Sequence, residues 1–149
     1  MNIEPIVTSV EIRFERTHPD AILPRRNFSE DSGLDVFAVE DVVIEPQQQV
    51  IVPVGLNLAY ITPGYWLLVA CRSGLGIKEG LSVHHGVIDQ GYRGTLGVLL
   101  RSHRTDPYLV HKGDKIAQLL VLPHYHVDVT WGIADESSRG IKGFGSSGK

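Results

Sequence analysis

The sequence predicts an all-β domain, an antiparallel jelly roll or distorted β-barrel with at most one short helix and a flexible C-terminal arm. Three observations carry that expectation. Apolar residues come in short runs of period two cut by Gly and Pro, no window keeps a helical period for long, and residues 135–149 hold almost nothing that could pack a core. A chain of 149 residues is the size of one domain. Residues 1–134 are therefore assigned to the domain and residues 135–149 to the arm.

Charge and cysteine usage narrow the function classes. With 14 Lys and Arg against 17 Asp and Glu, the formal charge is −3. Such a chain has no overall field to hold nucleic acid or an anionic membrane, so phosphate binding must be local. Cys71 is the single cysteine, which excludes an internal disulfide framework, and no charged start leads into an apolar run as in a secretory signal. The longest apolar run, residues 65–71, is too short to cross a bilayer. An intracellular, cytoplasmic protein is expected.

Along the chain, residues 10–14 alternate as a half-buried strand does before Pro19 and Pro24 end the run. Ser32 and Gly33 then turn into a strand through residue 39, with Asp35 facing away from its apolar neighbours. Short β-rich runs at 42–44, 50–52, 56–60 and 65–70 are separated by Pro46, Pro53, Gly55, Pro63 and Gly64. One short helix is allowed at 73–78, with Ser73 as its N-cap and Gly74 and Gly76 weakening it. Strands resume at 81–84, 95–101, 108–111, 116–122 and 127–131.

Cys71 reads as a small core residue, and Trp66 and Trp131 as core or subunit-interface residues. His18, His103 and His111 read as surface residues. His84 and His85 adjoin and His124 and His126 would share one strand face, but neither pair has further ligands at a zinc spacing.

The stretch with the most chemistry is Gly86-Val87-Ile88-Asp89-Gln90-Gly91-Tyr92-Arg93-Gly94. It places one carboxylate and one phenol three residues apart among glycines, each of which permits positive φ or a close approach. The segment reads as a tight hairpin whose main chain is a binding surface, or as an ordinary surface turn that carries an acid. Arg72-Ser73-Gly74 offers a guanidinium, a hydroxyl and an unobstructed N–H, the parts of an anion site or of a plain capped turn. Gln118, polar among apolar neighbours, needs a partner, either another strand or a phosphate oxygen. The tail Gly143-Phe144-Gly145-Ser146-Ser147-Gly148-Lys149 matches most of a P-loop but lacks the helix such a loop needs. Arg139, Lys142 and Phe144 suit an arm that folds over a ligand.

Taken in order, these stretches resemble the five motifs of the trimeric dUTPase family. Ser32-Gly33-Leu34-Asp35-Val36 is similar to the first motif, Arg72-Ser73-Gly74-Leu75 to the second and residues 86–94 to the third. Residues 113–118 are similar to the fourth and residues 139–148 to the fifth. The family fold is a jelly roll, in agreement with the strand pattern. The resemblance implies Mg²⁺-dependent hydrolysis of dUTP to dUMP and diphosphate, which keeps uracil out of DNA and supplies dUMP for dTMP synthesis. It implies a homotrimer with shared active sites and no nucleic-acid or membrane partner.

By the same resemblance, Asp89 activates the attacking water. Arg72, Ser73, Gly74, Gln118, Arg139, Ser146 and Ser147 hold the phosphates, and Asp35 assists Mg²⁺ at one remove, through water. His85, Gly86, Ile88, Tyr92, Gly97, Phe144 and Gly145 form the uracil and deoxyribose site, with Tyr92 against the sugar and Phe144 stacked on the base. This sequence departs from the common pattern at Gly91, His85, Cys71 and Lys142. A nucleotide-sensing regulator of the same fold and a dCTP deaminase are the alternative functions.

Overall fold

A computed structural model describes residues 9–145 and 148. Ten strands and one helical turn are present among them: β1 (Ile12–Arg16), β2 (Leu34–Phe37), β3 (Val42–Ile44), β4 (Gln49–Ile61), β5 (Tyr65–Ala70), α1 (Ser73–Ile77), β6 (Leu81–Val83), β7 (Gly86–Ile88), β8 (Thr95–Ser102), β9 (Tyr108–Val110) and β10 (Lys115–Pro123). Two four-stranded antiparallel sheets, ordered β1-β4-β8-β6 and β2-β10-β5-β7, are joined by the small pair β3-β9. The inward residues of both form one core, in which Val52, Leu67, Leu100, Val110 and Ala117 are completely buried. This is the expected all-β jelly roll.

Five local expectations are corrected. Pro53 and Gly55 do not separate two strands, because β4 runs straight through them. A proline cannot donate within a central strand, but here it sits where the pairing with β8 slips, between Pro53 and Asn57. Gly55 supplies the left-handed residue of that bulge at φ +68, and a Cβ there would lie 2.7 Å from the Cβ of His18. Val52, Val54, Leu56 and Leu58 keep the inward period through the bulge, and Gly55 seats the 18–21 segment against the strand, so His18 is half-buried rather than a surface residue.

The N-cap of α1 is Arg72, with extended φ and ψ of −87° and 138° and no side-chain cap; Ser73 is its first helical residue. The helix lasts one turn, as Gly74 and Gly76 favour, and is held by Leu75, its one buried side chain.

The 86–94 segment is not a two-stranded hairpin. β7 pairs with β5 and β8 pairs with β4 and β6, so the turn between them bridges the two sheets. None of Gly86, Gly91 and Gly94 takes a left-handed φ.

Finally, residues 124–134 form no strand within this chain, although they were expected to at 127–131. Tyr125, Val127, Val129, Trp131 and Ile133 keep the period of a strand but are exposed, and Trp131 is wholly so. Trp131 is thus not in this chain's core, and His126 instead contacts Asp128, with Nε2 at 3.0 Å from Oδ1. Cys71 is half-buried at the core's edge, and Trp66 is half-buried with its indole donating to the Pro123 carbonyl.

Candidate active site

The second sheet brings three of the sequence motifs together. Cross-strand register puts Asp35 of β2 beside Gln118 of β10, and Gln118 beside Ala70 of β5, directly before the turn that carries Arg72. The result is a concavity of about 470 Å³ lined by Ser32, Gly33, Asp35, Arg72, Ser73, Gly74 and Gln118.

Asp35 is the hub of this cradle. It is buried, and each of its oxygens meets a cation: Arg72 Nε donates to Oδ1 at 3.0 Å, and Lys115 Nζ lies 3.3 Å from Oδ2. Arg72 also donates through Nη1 to the Lys115 carbonyl at 3.4 Å. The guanidinium is therefore tied along one edge. Asp31 also lines the concavity, so Arg72 and Lys115 are matched by two carboxylates, and what the cradle offers an anion is hydrogen-bond donors: the first-turn N–H groups of α1 have no intrahelical acceptor. Ser73 and Gly74 are exposed, and Gly74 has open space where a Cβ would stand. Such a cradle suits an anion rich in oxygen acceptors.

Gln118 fixes the second motif to the sheet, its Nε2 donating to the Cys71 carbonyl at 2.9 Å. Gly33 makes that possible. A Cβ on Gly33 would lie 2.9 Å from the Cβ and Cδ of Gln118 and would overlap its Oε1. Sequence reasoning gave neither Gly33 nor Lys115 a role. Both lie inside quoted motifs, yet their partners are remote in the chain and only strand register reveals them.

Asp89 lies elsewhere. It is exposed just after β7 and lines a separate concavity of about 700 Å³ with Trp66, Val87, Gln90, Gly91, His124 and Tyr125. β7 is an edge strand of its sheet, so one of its main-chain edges has no strand partner among the described residues. Ile88 is buried, half-buried Gly86 rests on Val69, and His85 is exposed ahead of them. Any group read by Gly86 or Ile88 must be read through the backbone. Tyr92 folds back, its N–H donating to the Asp89 carbonyl at 3.0 Å and its hydroxyl to the Thr95 carbonyl at 2.9 Å. Gly97 stands opposite Pro53 on β8, where a Cβ would come within 2.7 Å of Ile51 Cγ2.

Register measures the gap between the two places. Ile88 pairs with Leu67 and Gln118 with Ala70, so at ~3.3 Å per residue and ~4.8 Å between strands Asp89 stands roughly 16 Å from Gln118. Hydrogen bonds reach ~3 Å. The Asp89 turn and the Gln118 cradle of one chain line separate concavities, and the glutamine side chain is turned to the Cys71 carbonyl.

The arm residues Arg139, Phe144 and Gly145 are exposed and belong to neither concavity, while Ser146 and Ser147 lie outside the described residues. Locally, Arg139 Nε donates to the Lys142 carbonyl at 2.6 Å and Phe144 takes φ 51.

Fold and site together define an antiparallel jelly-roll protein in which an arginine, a serine turn and a strand glutamine line one concavity. A family model described as dUTPase matches residues 19–148. Deoxyuridine 5'-triphosphate nucleotidohydrolase from Solibacter usitatus is 43% identical over 148 residues, covering 97% of this chain and 100% of the relative. Among solved structures, the Staphylococcus bacteriophage 80alpha dUTPase with dUpNHpp is similar at TM-score 0.85 and 28% identity, over 96% of this chain and 100% of that one. A mutant dUTPase from phage phi11 of S. aureus, described for the coordination of a structural Mg(II) ion, is similar at TM-score 0.78 and 27% identity, over 85% of this chain and 99% of that one. The chain belongs to the dUTPase family.

Proposed function

We propose that this protein hydrolyses dUTP to dUMP and diphosphate at sites built between subunits of a homotrimer. The observation that carries the proposal is the cradle of Arg72, Ser73, Gly74 and Gln118, clamped by Asp35 and set apart from the Asp89 turn in a chain of this family. A gap of roughly 16 Å within one chain closes when the cradle of one copy faces the turn of another. The exposed alternating face of residues 124–134 supplies apolar surface for such an assembly.

In this arrangement the unpartnered edge of β7 reads uracil through main-chain groups at Gly86 and Ile88, beside His85. Cytosine would leave buried groups unpaired, at a cost of about 1–3 kcal/mol each. Tyr92 lies against the deoxyribose, and Gly97 keeps the floor of the base pocket free of a side chain. Asp89 takes a proton from the water that attacks the α-phosphorus, a role worth ~10²–10⁴-fold for a positioned base. Arg72, the Ser73 and Gly74 amides and Gln118 hold the phosphate oxygens and the charge that develops on departing diphosphate. Residues 135–149 act as the arm: Phe144 and Gly145 cover the base, and Arg139, Ser146 and Ser147 close on the terminal phosphates.

Mg²⁺, when bound, neutralises the triphosphate and favours departure of diphosphate. The donor set fits an ion carried mainly by phosphate oxygens. Both oxygens of Asp35 already meet cations, so Asp35 suits contact through water, and no group of three or more His, Cys, Asp or Glu gathers among the described residues.

Incubation with Mg²⁺ and, in turn, dUTP, dCTP, dTTP and UTP tests the proposal. Diphosphate from dUTP alone is expected. Ammonia from dCTP would establish a deaminase, and binding without product a nucleotide sensor.

A further inference from the structure

Gly94 has no conformational reason to be glycine, since its φ lies outside the left-handed region. What the position lacks is room. A Cβ on Gly94 would lie 2.5 Å from Tyr92 Oη, 2.7 Å from Cζ and 3.0 Å from Cε2. The ring has little freedom to retreat, because its hydroxyl is tied to the Thr95 carbonyl at 2.9 Å and its own N–H to the Asp89 carbonyl at 3.0 Å. The phenol is thus laid over its own turn and pinned at both ends, with 44% of the residue exposed on the outer side. Gly91, two residues from Asp89, has open space beyond its missing Cβ. The contrast separates a glycine that a ring requires from one that it does not.

We propose that Gly94 is a specificity-determining residue: it is the seat that fixes the height of the Tyr92 ring, and with it the exclusion of a 2′-hydroxyl. This rests on the reading of Tyr92 as the residue against the deoxyribose. A methyl group on residue 94 pushes the hydroxyl end of the ring away from Thr95 and displaces the surface that meets the sugar. The bond from the Tyr92 N–H to the Asp89 carbonyl lies at the other end of the residue, so the acid stays in place. The change therefore falls on KM and on discrimination between dUTP and UTP more than on kcat.

The test is the ratio of kcat/KM for dUTP to that for UTP, measured with Mg²⁺ on the assembled full chain for wild type, Tyr92→Ala, Tyr92→Phe and Gly94→Ala. Gly94→Ala is expected to lower the ratio about tenfold, with kcat for dUTP within about threefold, as for a sub-ångström to ångström misplacement. Combining Tyr92→Phe with Gly94→Ala removes the closest clashing atom and should restore part of the lost dUTP affinity. A ratio that falls in Tyr92→Ala but is unchanged in a folded Gly94→Ala overturns the seat. If Gly94→Ala does not fold, Tyr92→Phe decides alone, since it unties the ring from Thr95 without added bulk; an unchanged ratio there overturns the proposal. A ratio unchanged in Tyr92→Ala removes Tyr92 from the sugar, and the underlying assignment fails instead.

Discussion

Asp35 balances two cations on one carboxylate, and removing its charge leaves Arg72 and Lys115 facing each other across the cradle. Asp35→Asn should lower stability to denaturant by about 1.5–3 kcal/mol, the range for hydrogen bonds to charged groups, and raise KM for dUTP. Gly33→Ala acts through the same site by bulk. Its methyl meets Gln118, which can move only by releasing the Cys71 carbonyl, so a cost of about 1–3 kcal/mol is expected together with a higher KM. Asp89→Asn is the opposite case. Asp89 is exposed, so the variant should fold normally and bind dUTP, as titration calorimetry would show, while turnover falls ~10²–10⁴-fold. Normal turnover in that variant would remove Asp89 from the chemistry.

At the scale of elements, the link from β8 to β9 is stapled by Arg104, which donates to both oxygens of Asp106 and to the Glu79 carbonyl and lies over the Tyr108 ring. The hydrogen bond from Arg104 holds the Asp106 carboxyl below its ordinary value of 3.8. A depressed folded-state pKa stabilises above the ordinary value, and the benefit is lost as pH falls through the folded one. Asp106→Asn should therefore lower the thermal midpoint near neutral pH and flatten its decline below about pH 4, which melts across pH 3–7 would reveal.

Elements with a local signature were legible in the sequence. Apolar runs bounded by turn residues located β5 and β10, and period-two alternation located β8, to within a residue or so, and Gly74 and Gly76 marked α1 as a short, weak helix. The continuous β4 was not legible, because Pro53 and Gly55 look like a break until the slipped partner strand makes them a bulge. Nor was the true form of the 86–94 segment. A hairpin and a turn between two sheets have the same local sequence, and the partners of β7 and β8 lie far along the chain. The cradle was legible as motifs, but Gly33 against Gln118 and Lys115 against Asp35 emerge only from register.

For the whole molecule, the proposed trimer would cover the exposed strip from Tyr125 to Ile133 and bring the cradle of one copy to the turn of another. The thermal midpoint should rise with protein concentration, as it does when folding and association are coupled. Trp131→Asp should weaken the trimer in sedimentation and reduce activity with it. Deleting residues 139–149 should leave the trimer intact and slow turnover; full activity in the truncated protein would show that the arm takes no part.

If dUTP lies between the Asp89 turn of one copy and the Arg72 cradle of another, as proposed, a defect in either is not confined to the polypeptide that carries it. Two inactive versions, Asp89→Asn and Arg72→Ala, should rescue one another when unfolded together and allowed to reassemble, since some mixed trimers unite an intact turn with an intact cradle. In a cell carrying both normal and defective copies, the same geometry would spread damage from one bad subunit to its neighbours.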